Sequence, residues 1–208
     1  MKLEKRDCPI KITLSPSGSS YLGVDFDFYG EKLYFNPSST VSGQFGDFLS
    51  ALYTLFLDER TDPEWNEREY HTYNESNEIY AVTTTVDWDN EGQYMKIGMT
   101  RTYTADCDKD ILFKATTDYG ETYKTFHLNF KDLCYAVAKA CTEILKEYGF
   151  FGYRYSTEYD WFKIHQLLFI KAYALDNMES RKLIATDSYK QCFKTDFEKE
   201  MELLLFDM

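Results

Sequence analysis

Few residues of this 208-residue chain could serve as nucleophile, general base or soft metal ligand: it has three histidines and five cysteines. His71, His127 and His165 are far apart in sequence, and none shares the two-to-five-residue spacing that brings two imidazoles onto one ion. Cys8, Cys107, Cys134, Cys141 and Cys192 contain no C-x-x-C pair, and their odd, scattered count is that of reduced thiols rather than a disulfide framework. Cys134 and Cys141, seven apart in a helical stretch, share a face and read as small core residues. An enzyme of unrecognised type would have to assemble a pocket around His127, His165 or Cys134 beside a carboxylate such as Asp160.

The carboxylates offer two further patterns. Asp106, Asp108 and Asp110 alternate like the first ligands of a calcium loop, but Ile111 and Thr117 stand where such a loop needs glycine and glutamate. The three therefore read as a solvated hairpin tip. Glu158 and Asp160 lie near an expected helix start, where negative charge complements the helix dipole. Signatures for dinucleotide binding, P-loop phosphate binding, acyl transfer and zinc proteolysis are absent from the sequence, so no cofactor and no metal is expected.

Charge is the stronger signal. The net charge is -12, and residues 58–110 hold 14 acidic against 5 basic side chains, nine of the twelve net negative charges. Lysines and arginines do not cluster, and the aromatics lie among acids, which disfavours a nucleic-acid partner. Tyrosines interleaved with carboxylates suit a surface for a basic protein, because acids steer encounter and tyrosine gives contact area at low entropy cost. Such acidity also serves simple solubility. The residues expected to bind are Trp65, Glu67, Tyr70, Tyr73, Asp89 and Glu91, gathered from a long polar loop at 58–77 and a hairpin tip at 89–91, with a second tip near 106–110.

These residues need elements to hold them. Ile10, Ile12 and Leu14 alternate with polar residues, as do Val24, Phe26 and Phe28, and residues 21–36 read as a hairpin turning at Tyr29-Gly30. Ser42 caps an expected helix to about Asp58, built on Phe45, Phe48, Leu49, Leu52 and Phe56. Four strands follow, Glu78–Trp88, Gln93–Tyr103, Asp110–Asp118 and Glu121–Phe130, as a meander, because connections this short permit only antiparallel neighbours. Helical spacing then predicts helices at 131–148, closed by Gly149, at 157–175, and after Asp187 through Tyr189, Phe193, Phe197, Met201 and Leu204. The expectation is one α+β domain over 1–208, with hairpin, helix and acidic loop in 1–77, the meander in 78–130 and helices in 131–208. Its fold is an antiparallel meander sheet of about six to seven strands with helices mainly on one face. A structural or assembly role through the last helix is a third functional reading. No stretch reaches the roughly 18 apolar residues of a membrane span, and Met1–Pro9 is charged, so the chain reads as cytoplasmic, with no membrane partner and an open oligomeric state.

The strand end Val86-Asp87-Trp88-Asp89-Asn90-Glu91-Gly92, the meander, and the helix closing in Glu147-Tyr148-Gly149-Phe150-Phe151-Gly152-Tyr153 together resemble small acidic immunity proteins of bacterial polymorphic toxin systems. The resemblance covers residues 78–175 and is one of pattern and composition. It implies a non-enzymatic inhibitor that binds a cognate basic toxin in the cytoplasm, and it assigns no residue a role.

Overall fold

In the computed structural model, residues 4–17, 21–35, 44–56, 71–73, 79–90, 93–102, 110–117, 120–156, 163–176 and 197–208 are described. The N-terminal alternation forms three strands, β1 (Ile10–Ser17), β2 (Tyr21–Phe28) and β3 (Glu31–Phe35), paired antiparallel in that order. Their register aligns Ile12 with Phe26 and Phe26 with Leu33, which puts Ile10, Ile12, Val24, Phe26, Phe28, Leu33 and Phe35 on one buried face. Tyr29 (φ 59°) and Gly30 (φ 91°) both take left-handed backbone, as a two-residue hairpin turn requires, and Asp27 Oδ1 accepts the Gly30 N–H at 2.8 Å.

A second sheet holds five strands in sequence order: β4 (His71–Tyr73), β5 (Ile79–Asn90), β6 (Gln93–Thr102), β7 (Ile111–Thr117) and β8 (Thr122–Leu128). The expected four-strand meander is therefore present as β5 to β8. The expectation of one sheet of six to seven strands is corrected: the strands divide three and five. Alternation reports which face of a strand is buried and not which strand lies beside it. A helix, α1 (Gln44–Thr54), lies between β3 and β4 in the chain, and the two apolar faces meet instead of pairing edge to edge. Phe28 contacts Phe126 at 4.8 Å, Phe26 contacts Phe113 at 5.6 Å, and Phe35 contacts Trp88 at 5.1 Å between ring centroids. The polar loop expected over 58–77 is also corrected at its C-terminal part. There, residues 71–73 pair with Ile79, Ala81 and Val82, a run too short to show periodicity.

Helices close the remaining apolar surface. In α1, Phe48 inserts between Phe26 and Trp88, so this helix covers the flank of β5. Asn129 caps α2 (Phe130–Ser156) by accepting the Asp132 N–H at 2.9 Å, and α2 packs on β1. Gly149, at φ 66° and ψ 171°, interrupts α2 where the sequence placed its end, and helical backbone resumes to Ser156. α3 (Ile164–Ala174) is buried from Gln166 through Ala172, as a helix apolar all round must be. It packs against α1, α2 and the last helix, α4 (Phe197–Leu205). The sequence placed these two helices at 157–175 and after Asp187; residues 157–162 and 177–196 lie outside the described ones. Among the described residues no helix is long and apolar enough to cross a membrane.

Candidate functional site

The inward phase of the five-stranded sheet is Val82, Val86 and Trp88 on β5, Met95, Ile97 and Met99 on β6, Ile111, Phe113 and Ala115 on β7, and Phe126 and Leu128 on β8. The opposite phase faces outward. Its rows run Thr83–Thr100–Leu112–His127, Thr85–Gly98–Lys114–Thr125 and Asp87–Lys96–Thr116 across the strands. All of these are exposed or half-exposed. Successive connections of a meander lie at alternate ends, so the β5–β6 and β7–β8 turns emerge together. This end carries Tyr94, 54% exposed, and Tyr123, 59% exposed, with exposed Asp87 and Glu121 beside them. Tyr94 pairs with Asp89, and Tyr123 lies at the irregularity in β8. Strand spacing places the two rings' backbones on the order of 10 Å apart across β7. Tight turns hold the end: Gly120, at φ 75°, donates its N–H to Thr117 O, and Thr117 donates to Glu121 O, both at 2.9 Å.

The expected binding residues divide. Trp65, Glu67, Tyr70 and Glu91 lie outside the described residues. Tyr73 is in β4 opposite Ile79, and Asp89 is in β5 opposite Tyr94. Ten residues of extended strand separate Ile79 from Asp89, about 33 Å. β6 ends at Thr102, at the end of the sheet opposite the β5–β6 turn, and residues 103–109 of the second expected tip lie outside the described ones. Tyr94 and Tyr123 were missed, although both run out of phase with their strands' apolar residues, Met95 and Phe126.

Two acids of the acidic stretch have described side chains, and each meets a cation. Asp87 lies 3.4 Å from Lys96, with its side chain 83% exposed, a loose pair. Asp110 is largely buried and engages Arg101 at 3.5 Å, while its other oxygen accepts the Phe130 N–H at 2.7 Å. That geometry makes Asp110 part of an internal clamp rather than a calcium ligand or hairpin-tip acid. Arg101 also donates to Leu55 O at 3.1 Å and Tyr173 Oη at 3.3 Å, with its guanidinium 4.0 Å from the Phe130 ring centroid. It thereby joins β6, β7, the end of α1, α2 and α3. Burial pushes the Tyr173 phenol up to about 12, against the opposing pull of Arg101.

The candidate nucleophile and bases do not converge. Cys134 is fully buried on α2, and desolvation holds its thiol well above its ordinary pKa, the state of an inert core residue. His127 is exposed on the outward phase of β8. His165 stacks edge-on against Tyr53 at 6.2 Å, and its pKa is lowered by desolvation and by Lys163. Asp160, like Glu158, lies outside the described residues.

Two lysine clusters were not foreseen. Lys163 Nζ donates to Ser50 Oγ at 2.5 Å, Ser50 lies 3.0 Å from Gly46 O and 3.2 Å from Gln166 Oε1, and Asp47 is 3.8 Å from the ammonium. With Asp47 and Ser50 on α1 and Lys163 at the start of α3, these contacts tether α1 to α3. Lys171, with no exposed surface, donates to Thr142 Oγ1 at 2.8 Å, Leu204 O at 3.0 Å and Phe206 O at 2.7 Å. Desolvation first, and Lys146 second, lower its pKa to about 7. Among the described residues no cluster of three or more histidine, cysteine or carboxylate side chains could hold a metal. Comparison with protein-family profiles, curated proteins and solved structures returns no match.

Proposed function

We propose that this chain is a non-enzymatic protein-binding domain that docks a basic partner on the end of the five-stranded sheet where the β5–β6 and β7–β8 turns emerge. The observation that carries the reading is the placement there of two exposed tyrosines, Tyr94 and Tyr123, beside exposed Asp87 and Glu121. Rigid aromatic side chains on a strand supply contact area at small entropic cost, and carboxylates around them steer a basic surface into place. Asp89 belongs to the same end by its pairing with Tyr94. The finer reading, an immunity-type inhibitor that covers a basic toxin in the cytoplasm of a bacterium, rests on the sequence resemblance.

The test is titration calorimetry against the purified products of neighbouring genes. A partner is expected whose affinity falls at least tenfold in an Asp87→Lys, Glu121→Lys variant and in a Tyr94→Ala, Tyr123→Ala variant, and which weakens as salt is raised. Tight binding that survives both variants removes this surface from consideration.

A further inference from the structure

α4 carries an apolar stripe that the other described residues cover only at its middle, where Met201 packs against the core. Phe197 is 71% exposed, Leu205 is 60% exposed, and Met201 between them is half-buried. At 3.6 residues per turn these three, spaced four apart, fall within an arc of about 80°. The buried residues of the helix, Leu203 and Leu204, occupy the adjoining arc, with Leu204 about 20° from Phe197.

Position is the second observation. α4 is not a loose tail whose apolar face could fold back on the domain. Lys171 Nζ binds the carbonyls of Leu204 and Phe206 at its C-terminal end. Asp207 is paired with Lys5 at 2.7 Å and with Lys146 at 3.0 Å, and Met208 is buried. The stripe is therefore displayed on a preorganised helix, so a partner meets it with little further ordering cost.

Charge selects the occupant. Exposed Glu198 and Glu202 lie along one border of the stripe, and Lys199 lies on the far side of the helix. A second copy packed stripe to stripe would bring these carboxylates against their own equivalents, which opposes self-association. A helix whose apolar face is bordered by lysine or arginine would instead set opposite charges against Glu198 and Glu202.

We infer that the Phe197–Met201–Leu205 face of α4 is a docking site for a basic amphipathic helix of another protein, a surface separate from the sheet end proposed above. The experiment uses the full chain and a fluorescent 18-residue amphipathic peptide of leucine and lysine, with a scrambled peptide of equal charge as control. Fluorescence anisotropy is expected to show binding at least tenfold tighter for the amphipathic peptide. Binding should weaken at least tenfold in F197S/L205S. In E198K/E202K it should weaken similarly, while binding of a leucine–glutamate peptide of the same pattern is gained. The methyl resonance of Met201 should shift on titration. Both variants change exposed side chains, and circular dichroism checks that they fold. The inference is overturned if both peptides bind alike, if neither variant alters binding, if no binding is seen up to millimolar peptide, or if sedimentation shows a dimer that F197S/L205S dissolves, which would make a second copy the occupant.

Discussion

Lys171 offers the most quantitative test of the packing. Its amine is fully buried in α3, and desolvation lowers its pKa from 10.5 to about 7. The sign follows from proton counting. Between pH 7 and pH 10.5 the unfolded chain holds a proton that the native state has shed, so unfolding is increasingly disfavoured as pH rises through this window, and the full cost of the buried charge is present below it. At about 1.4 kcal/mol per unit the whole displacement amounts to about 5 kcal/mol. The part recovered between pH 6 and pH 9 is about 3 kcal/mol. Lys171→Met, of similar volume, removes the titration while keeping the packing. It also leaves Thr142, Leu204 and Phe206 without their donor, a cost of about 1–3 kcal/mol each that offsets the curve without giving it this slope. Lys171→Gln keeps an amide donor and lacks the titration, and it serves if the methionine variant does not fold. Urea unfolding of wild type and variant at pH 6, 7.5 and 9 is the assay. The wild-type stability is expected to gain on the variant by about 3 kcal/mol across the series. Parallel curves for the two proteins would refute the claim that a buried, solvent-deprived amine is present.

Arg101→Met is expected to destabilise by about 2–4 kcal/mol, since it strands Asp110 within the structure; a companion Asp110→Asn should recover part of that loss in a double-mutant cycle, and strict additivity would mean that the two do not act together. Gly149→Ala forces a side chain into a backbone region that glycine alone occupies readily, so a loss of about 1–3 kcal/mol is expected in denaturant melts; an unchanged midpoint would show that the interruption of α2 lies elsewhere. In the native protein, peptide-resolved alkylation should leave Cys134 and Cys141 unmodified, and half-buried Cys8 should react slowly. Reaction of Cys134 at the rate of a free thiol would reopen the enzymatic reading.

Strand existence was legible because the period-two pattern persisted: Met95, Ile97 and Met99 on β6 and Phe126 and Leu128 on β8 fall on the buried face the alternation implied. The division into two sheets was not, because the same alternation describes a strand that pairs with a neighbour and a strand that faces one across a core. Arg101 continues the inward phase of Met99, so its burial was readable by parity, but a charge in that phase has a destination only when Asp110 and Leu55 O are brought to it. Lys171 interrupts the apolar run Leu167–Ala174, and sequence supplies no acceptor for it because two of its three partners lie more than thirty residues away. Of the expected acidic surface, Trp65, Glu67, Tyr70 and Glu91 lie outside the described residues, and strand order bears only on its two ends. Sequence proximity groups Asp89 with Asp110, whereas a meander sends consecutive strand ends to opposite sides of the sheet, so these two described residues lie apart.

The contact between β1 and α2 sets a schedule for the nascent chain. Ile10 and Ile12 are sealed by a helix made some 120 residues later, and that junction is fastened by Arg6 to Asp132 at 2.7 Å and by the Arg6 N–H to Tyr135 Oη at 3.2 Å. At translation rates of about 5–20 residues per second, the first hairpin waits roughly 6–24 s with an oily side bare to the ribosome surface. Chaperone engagement should therefore peak before α2 leaves the exit tunnel and decline once it does, which ribosome-arrested chains of graded length would reveal.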